Sequence, residues 1–191
     1  MKKYLWTVGL MVGSAFGTAA ASSAYVEQAL IGGISLTSSG ALGIELGVEY
    51  PLPASVLPVD TSLELNVSTF GLLKGSLGFG ADLGIKALLL PSLFNEPSTA
   101  LALKANIGLG IGGVALKFGP LVTLDFNPLT VNIGLYPTLG LGGGVYFGLG
   151  YEAGVRYYLE DTSNNAIEIG VRGDALNGSS AALTVGGRFS F

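Results

Sequence analysis

The chain has 191 residues, of which 49% are apolar, 12% are charged and 31 are glycine, with a net charge of −4; that length fits one domain, and the composition excludes a disordered chain and suits an ordinary soluble domain poorly. It contains neither Cys nor His, which excludes a disulfide framework, thiolate metal sites and the commonest general base. Its mean hydropathy of +0.59 points to a membrane, yet beyond the first two dozen residues no apolar run of about 18 positions escapes a charge, a Pro or a Gly-rich turn, so helical spans are disfavoured.

The first segment reads as an address. Lys2 and Lys3 give a positive start, residues 4–16 are largely apolar, and residues 17–24 are almost all small, with small-x-small cleavage sites after Ala21 and after Ala24. An uncleaved membrane anchor is the competing reading, and the short apolar run without stop-transfer charges speaks against it. The chain therefore divides into a secretory signal peptide, 1–24, and one domain, 25–191. Without Lys2 and Lys3 the domain keeps 7 basic against 13 acidic side chains, a net charge of −6, and no nucleic-acid partner is expected.

From Val26 onward apolar side chains recur at every second position, the period of a β-strand. The first strand is read over 26–36. In the second, Leu42, Ile44, Leu46, Val48 and Tyr50 share one face, while Gly43, Glu45, Gly47 and Glu49 share the other. The third sets Leu63, Leu65 and Val67 against Asp60, Ser62, Glu64 and Asn66, and the fourth sets Leu77, Phe79, Leu83, Ile85 and Leu89 against Asp82 and Lys86. The remaining strands are read over 101–111 (Lys104 and Asn106 opposite), 116–126 (Lys117, Thr123 and Asp125 opposite), 131–141, 145–159 (Glu152 and Arg156 opposite), 167–171 (Glu168, Arg172 and Asp174 opposite) and 183–191 (Thr184 and Arg188 opposite). Six of the ten carry more than one charge, and in each every charge lies on the non-apolar face.

A soluble sandwich alternates in the same way, with its charges outside. Three features favour the opposite. The polar face is crowded with glycine, including Gly43, Gly47, Gly78, Gly80, Gly84, Gly148, Gly150, Gly154 and Gly186, whereas a solvated sheet face favours Lys, Glu and Thr. The longer runs match or exceed the roughly 9 to 11 residues that a tilted strand needs to cross a bilayer, about twice the usual soluble length. Tyr50, Phe126, Tyr157 and Phe191 close alternate strands and would fall at one level, as an aromatic girdle does at a membrane interface. The fold expected is all-β: a closed, antiparallel, up-and-down transmembrane β-barrel of about ten strands, with eight as the fallback if one hairpin is misread. Closure is required because hydrocarbon cannot hydrogen-bond an open sheet edge. Pro120 and Pro137 lie inside two of the strands and should remove ladder bonds there.

The last eight residues, Thr184-Val185-Gly186-Gly187-Arg188-Phe189-Ser190-Phe191, run polar, any, Gly, any two, hydrophobic, any, aromatic. In this they resemble the C-terminal assembly signal of bacterial outer-membrane β-barrels, with Thr184, Gly186, Phe189 and Phe191 filling its positions. The resemblance implies an outer-membrane location, contact with outer-membrane lipid, and insertion by the outer-membrane assembly machinery, which in that family reads the last strand. With the N-terminus in the periplasm, the extracellular links at 37–40, 112–113, 142–144 and 177–180 are short and the one at 70–75 is slightly longer. The links at 51–58 and 90–98 are then periplasmic, the reverse of the usual bias.

On this reading the polar face lines a lumen with Glu45, Glu49, Asp60, Glu64, Asp82, Asp125, Glu152, Glu168 and Asp174, against Lys86, Lys104, Lys117, Arg156, Arg172 and Arg188. Two functions compete. Cross-paired charges would close the lumen and leave a structural, envelope-organising barrel; the alternative is a narrow, porin-like diffusion channel, weakly cation-preferring, for ions or small solutes. About eight strands give an interior just filled by side chains, and ten with a Gly-rich inner face should leave more space, while a wide pore of about 16 strands is excluded by length. Glu45 with Glu49, and Asp60 with Glu64, stand four apart on one face, a spacing open to acid/base catalysis or Ca²⁺ binding. Their favoured reading is as counter-ions to Lys and Arg, and a membrane hydrolase comes third because there is no His. No enzyme activity is expected, and no catalytic, cofactor or metal residue is assigned. The Gly-rich run at 108–113 lacks the helix and βαβ unit of a dinucleotide site.

Overall fold

The computed structural model describes residues 23–72, 77–94, 98–110, 113–160, 163–176 and 181–191. The part of the expected signal peptide up to Ser22 and the expected links at 112 and 177–180 lie outside the described residues. Ten strands follow one another: β1 (Ala29–Thr37), β2 (Leu42–Pro51), β3 (Thr61–Phe70), β4 (Gly78–Leu90), β5 (Ser98–Gly110), β6 (Gly113–Asp125), β7 (Leu129–Leu141), β8 (Val145–Glu160), β9 (Ser163–Asp174) and β10 (Ala182–Ser190). Each pairs antiparallel with its sequence neighbours. The ring closes where β1 meets β10, from Ala29 opposite Ser190 to Thr37 opposite Ala182. This is the closed up-and-down barrel that the alternation predicts, with ten strands rather than the fallback eight. The start of β1 and the end of β10 lie at one rim, here called the terminal rim.

The pleat sorts side chains to opposite sides of the wall. Leu46, Leu83, Phe118, Val155, Ile169 and Phe189 are exposed on the outside, whereas Glu45, Glu49, Lys86, Arg156 and Arg188 are buried within. A soluble barrel sorts them the other way round. An apolar surface that runs around the whole circumference is unstable in water and stable against hydrocarbon.

The first strand begins at Ala29 rather than Val26, because residues 23–28 leave the wall and enter the barrel. There Ala24 joins Leu88, Ala100, Ala102 and Leu121 in a small internal apolar cluster, with Tyr25 and Val26 packed against it. Leu88 and Leu121 thus point inward. At Leu88 a register shift between Leu88 and Leu90 accompanies the change of phase, leaving Leu89 and Leu90 both exposed.

The two prolines act as expected. Registered pairing of β6 with β7 stops at Lys117–Thr138 and resumes at Leu121–Gly134, and Pro120 and Pro137 both fall in that interval. Neither can donate to a ladder.

At several inner glycines a neighbouring side chain occupies the space that a Cβ would take. A Cβ on Gly47 would collide with the Asn66 carboxamide, one on Gly134 with the Tyr136 hydroxyl, and one on Gly140 with the ring of Tyr146, its cross-strand partner. Each glycine accepts a larger neighbour laid flat across the strand, which fills a ten-stranded interior that would otherwise be wide. Gly32 differs, because it lies on the outer face between Leu30 and Ile34, where a Cβ meets only Leu46 at 3.7 Å. We therefore expect Gly140→Ala to displace Tyr146 and cost ~1–3 kcal/mol. Gly32→Ala should be neutral or stabilise by up to about 1 kcal/mol. The temperature at which the folded gel band converts to the unfolded one reads both, and equal shifts would contradict the seating of Tyr146 on Gly140.

Candidate functional site

The charged candidates gather around the lumen, and the aromatic ones lie outside. The expected lining charges occupy inward positions of strands, with one correction. Asp60 is exposed and precedes β3, where its backbone carbonyl accepts a hydrogen bond from Leu88 N at 2.8 Å. That bond continues the β3–β4 register one step past Thr61 and Ala87, so Asp60 stands at the open end of the ladder, at the terminal rim. Asp125 is half-buried near the terminal rim and accepts a hydrogen bond from Asn127 N at 3.0 Å. Lys117 is half-buried, and Asp82 is buried.

Eight of the internal charges form one chain of alternating sign. Lys104 Nζ lies 2.7 Å from Glu64, Glu64 lies 3.5 Å from Lys86, and Lys86 Nζ lies 2.8 Å from Glu49. Glu49 pairs with Arg188, whose Nε is 2.7 Å from Glu27. Glu27 is 2.9 Å from Arg156, and Arg156 pairs in turn with Glu168. Four bases and four acids leave the chain neutral. It runs from β5 through β3, β4, β2 and β10 to β8 and β9, so it crosses the interior rather than lining one wall. All eight side chains are 9% exposed or less, which leaves almost no water-sized space beside them.

Two smaller groups stand apart. Arg172 grips Glu45 through both guanidinium amino groups, one of them at 2.8 Å, the forked geometry that suits Arg to carboxylates. Tyr136 donates to Glu152 at 2.6 Å. Asp174 accepts from the Leu149 and Leu176 amides at 3.3 and 2.9 Å, and so ties down the far end of β9. The carboxylate pairs noted in the sequence are thus divided among cations: Glu45 to Arg172, Glu49 to Lys86 and Arg188, and Glu64 to Lys86 and Lys104.

Glu27 is the residue that sequence reading passed over. It joins Arg188 to Arg156, accepts from the Tyr158 hydroxyl at 3.0 Å, and its own amide donates to Glu49 at 3.1 Å. The available signal was phase, because Glu27 stands two residues before Ala29 and four before Ile31, both buried inward positions.

The residues of the C-terminal signature divide between the two faces of the closing strand. Thr184 is buried and donates to Gly170 O at 3.2 Å. A Cβ on Gly186 would stand 2.6 Å from the Gly32 carbonyl of β1, so the last strand can approach the first only with glycine there. Phe189 and Phe191 are exposed outside. Tyr50, Phe126 and Tyr157 are exposed at the same terminal rim as Phe191, while Phe79 and Phe147 are exposed near the opposite rim.

Breaking a buried ion pair strands the remaining charge, whereas replacing both members by apolar groups does not. For the pair set apart from the long chain, Glu45→Leu alone should cost ~3 kcal/mol and Glu45→Leu with Arg172→Met clearly less. Denaturant titration of the four members of the cycle checks this, and additive losses would show the two side chains to be uncoupled.

No family model matches the sequence, and no curated protein matches it. Among solved structures the fold is similar to that described as "KdgM porin in complex with disordered oligogalacturonate", at 12% identity and a TM-score of 0.48, over 85% of this chain and 99% of that one. At that score the likeness carries no functional argument, and what that porin binds is not transferred to this chain.

Proposed function

We propose that this chain is a small bacterial outer-membrane β-barrel with a structural, envelope-organising role, whose lumen is held shut by its ion-pair chain. One observation carries the reading: an apolar outer surface encloses a charged interior whose side chains are paired and almost without exposure. Such an interior holds its charges in place and leaves no continuous aqueous path at the level of the lattice. Tyr50, Phe126, Tyr157 and Phe191 suit the membrane interface at the terminal rim. Thr184, Gly186, Phe189 and Phe191 suit an assembly signal: Gly186 lets the last strand approach the first, Thr184 ties it to β9, and Phe189 and Phe191 stand exposed for recognition.

A narrow diffusion channel for ions or small solutes is the second reading. It is favoured by one feature, that part of the lumen filling is the segment 23–28, which is not wall. Catalysis is not proposed, since Glu45, Glu49 and Glu64 are each engaged by a cation.

The refolded chain should migrate faster on a detergent gel before boiling than after, and should give no stable steps in a planar bilayer. Stable steps that shift toward anions when Glu45, Glu49 and Glu64 become Gln would favour the channel instead. Phe191→Ala should lower the amount of heat-modifiable barrel in the outer membrane several-fold in cells while leaving refolding into detergent unchanged. Equal membrane levels would remove the assembly role.

A further inference from the structure

Among the described residues, the segment 23–28 lies inside the wall without belonging to it. Its anchors are side-chain contacts rather than ladder bonds. Ser23 O accepts from Lys86 Nζ at 2.7 Å, Ala24 N donates to Thr123 Oγ1 at 2.7 Å, and Ser23 Oγ lies 3.4 Å from Thr123 Oγ1. Ala24 rests on Leu88, Ala100, Ala102 and Leu121. At the other end Glu27 holds Arg156 and Arg188 together. Ser23 and Ala24 have no exposed surface. The wall therefore offers this segment a fitted seat, apolar on one side and cationic on the other, halfway between β4 to β6 and β8 to β10.

We propose that residues 23–28 are a removable plug, and that their withdrawal toward the terminal rim opens a path for small ions. The proposal rests on the membrane-barrel reading and deepens its channel alternative. Withdrawal breaks the contacts just named and leaves every strand pairing intact. The cations it releases keep partners in the wall, since Arg156 retains Glu168, Arg188 retains Glu49, and Lys86 retains Glu49 and Glu64. The lattice thus reseals on both sides of the gap, which a wall strand could not do. The plug also needs Ser23 and Ala24 to survive export, so it selects processing after Ala21 over processing after Ala24, which would remove both anchors to Lys86 and Thr123.

Three experiments test this. The intact mass of the chain recovered from outer membranes should correspond to a start after Ala21; a start at Tyr25 overturns the plug. Because the sequence contains no Cys, Ser23→Cys with Thr123→Cys introduces a single possible disulfide where two hydroxyls already face each other. In the full processed chain it should form on oxidation, and failure to form overturns the docking. In planar bilayers, Glu27→Gln should raise the frequency of ion-conducting openings at least tenfold over wild type. In the variant that combines Ser23→Cys, Thr123→Cys and Glu27→Gln, oxidation should return it to silence and reductant should restore it. Openings that persist with the disulfide closed, or a Glu27→Gln chain as silent as wild type, overturn the proposal. Should Glu27→Gln not fold, the Ser23→Cys, Thr123→Cys chain compared oxidised and reduced decides alone, with more openings when reduced as the supporting result and no difference as the opposing one. The heat-modifiable gel shift is read on every variant, so that loss of the barrel itself, which would sink the underlying reading, is distinguished from a closed barrel that lacks a plug.

Discussion

Backbone satisfaction governs this molecule. A strand facing hydrocarbon has no water to accept its N–H or donate to its C=O, so every edge must find another edge. The pairing of β1 with β10 meets that demand, and much else follows from it. Closure requires the last strand to come close to the first, which places glycine at Gly186 against the Gly32 carbonyl. Closure also creates an interior with no exit for side chains, so the polar half of each strand has to be reconciled inside.

That reconciliation is electrostatic. Charges taken out of water interact strongly and cost much if left single. The interior answers with alternation, since each member of the long chain except its two ends touches opposite charges on both sides. No single partner is decisive, and the loss of a link leaves neighbours still compensated. The glycines serve the same end: by removing a Cβ they let Asn66, Tyr136 and Tyr146 lie across the wall, so that a circle of ten strands is filled without larger residues at every inward position.

The architecture was legible because a strand's period is two and the wall is only one layer thick, so phase alone separates inside from outside. Strand number, order and the inward sense of Glu45, Glu49, Glu64, Lys86, Arg156 and Arg188 all follow from that periodicity. What phase does not carry is which inward residue meets which. The Arg172–Glu45 and Arg188–Glu49 pairs join residues far apart in sequence and depend on how the ring closes. Asp60 continues the alternation but is exposed, because it stands at the rim where the wall ends. Glu27 was missed because it sits in phase on a segment that is not strand. What composition did not show is which neighbours lean into the places left by Gly47, Gly134 and Gly140.

The interval in the β6–β7 ladder around Pro120 and Pro137 makes the wall mechanically uneven. Other seams carry at most a single register shift, as at Leu88/Leu90 and Tyr158/Glu160, but along this one three consecutive pairs are missing and the two strands are held by the pairs above and below. Squeezing by the surrounding lipid would therefore deform the cross-section toward an ellipse whose compliant side lies between β6 and β7, while the β1–β10 closure, on the other side of the ring, stays stiff.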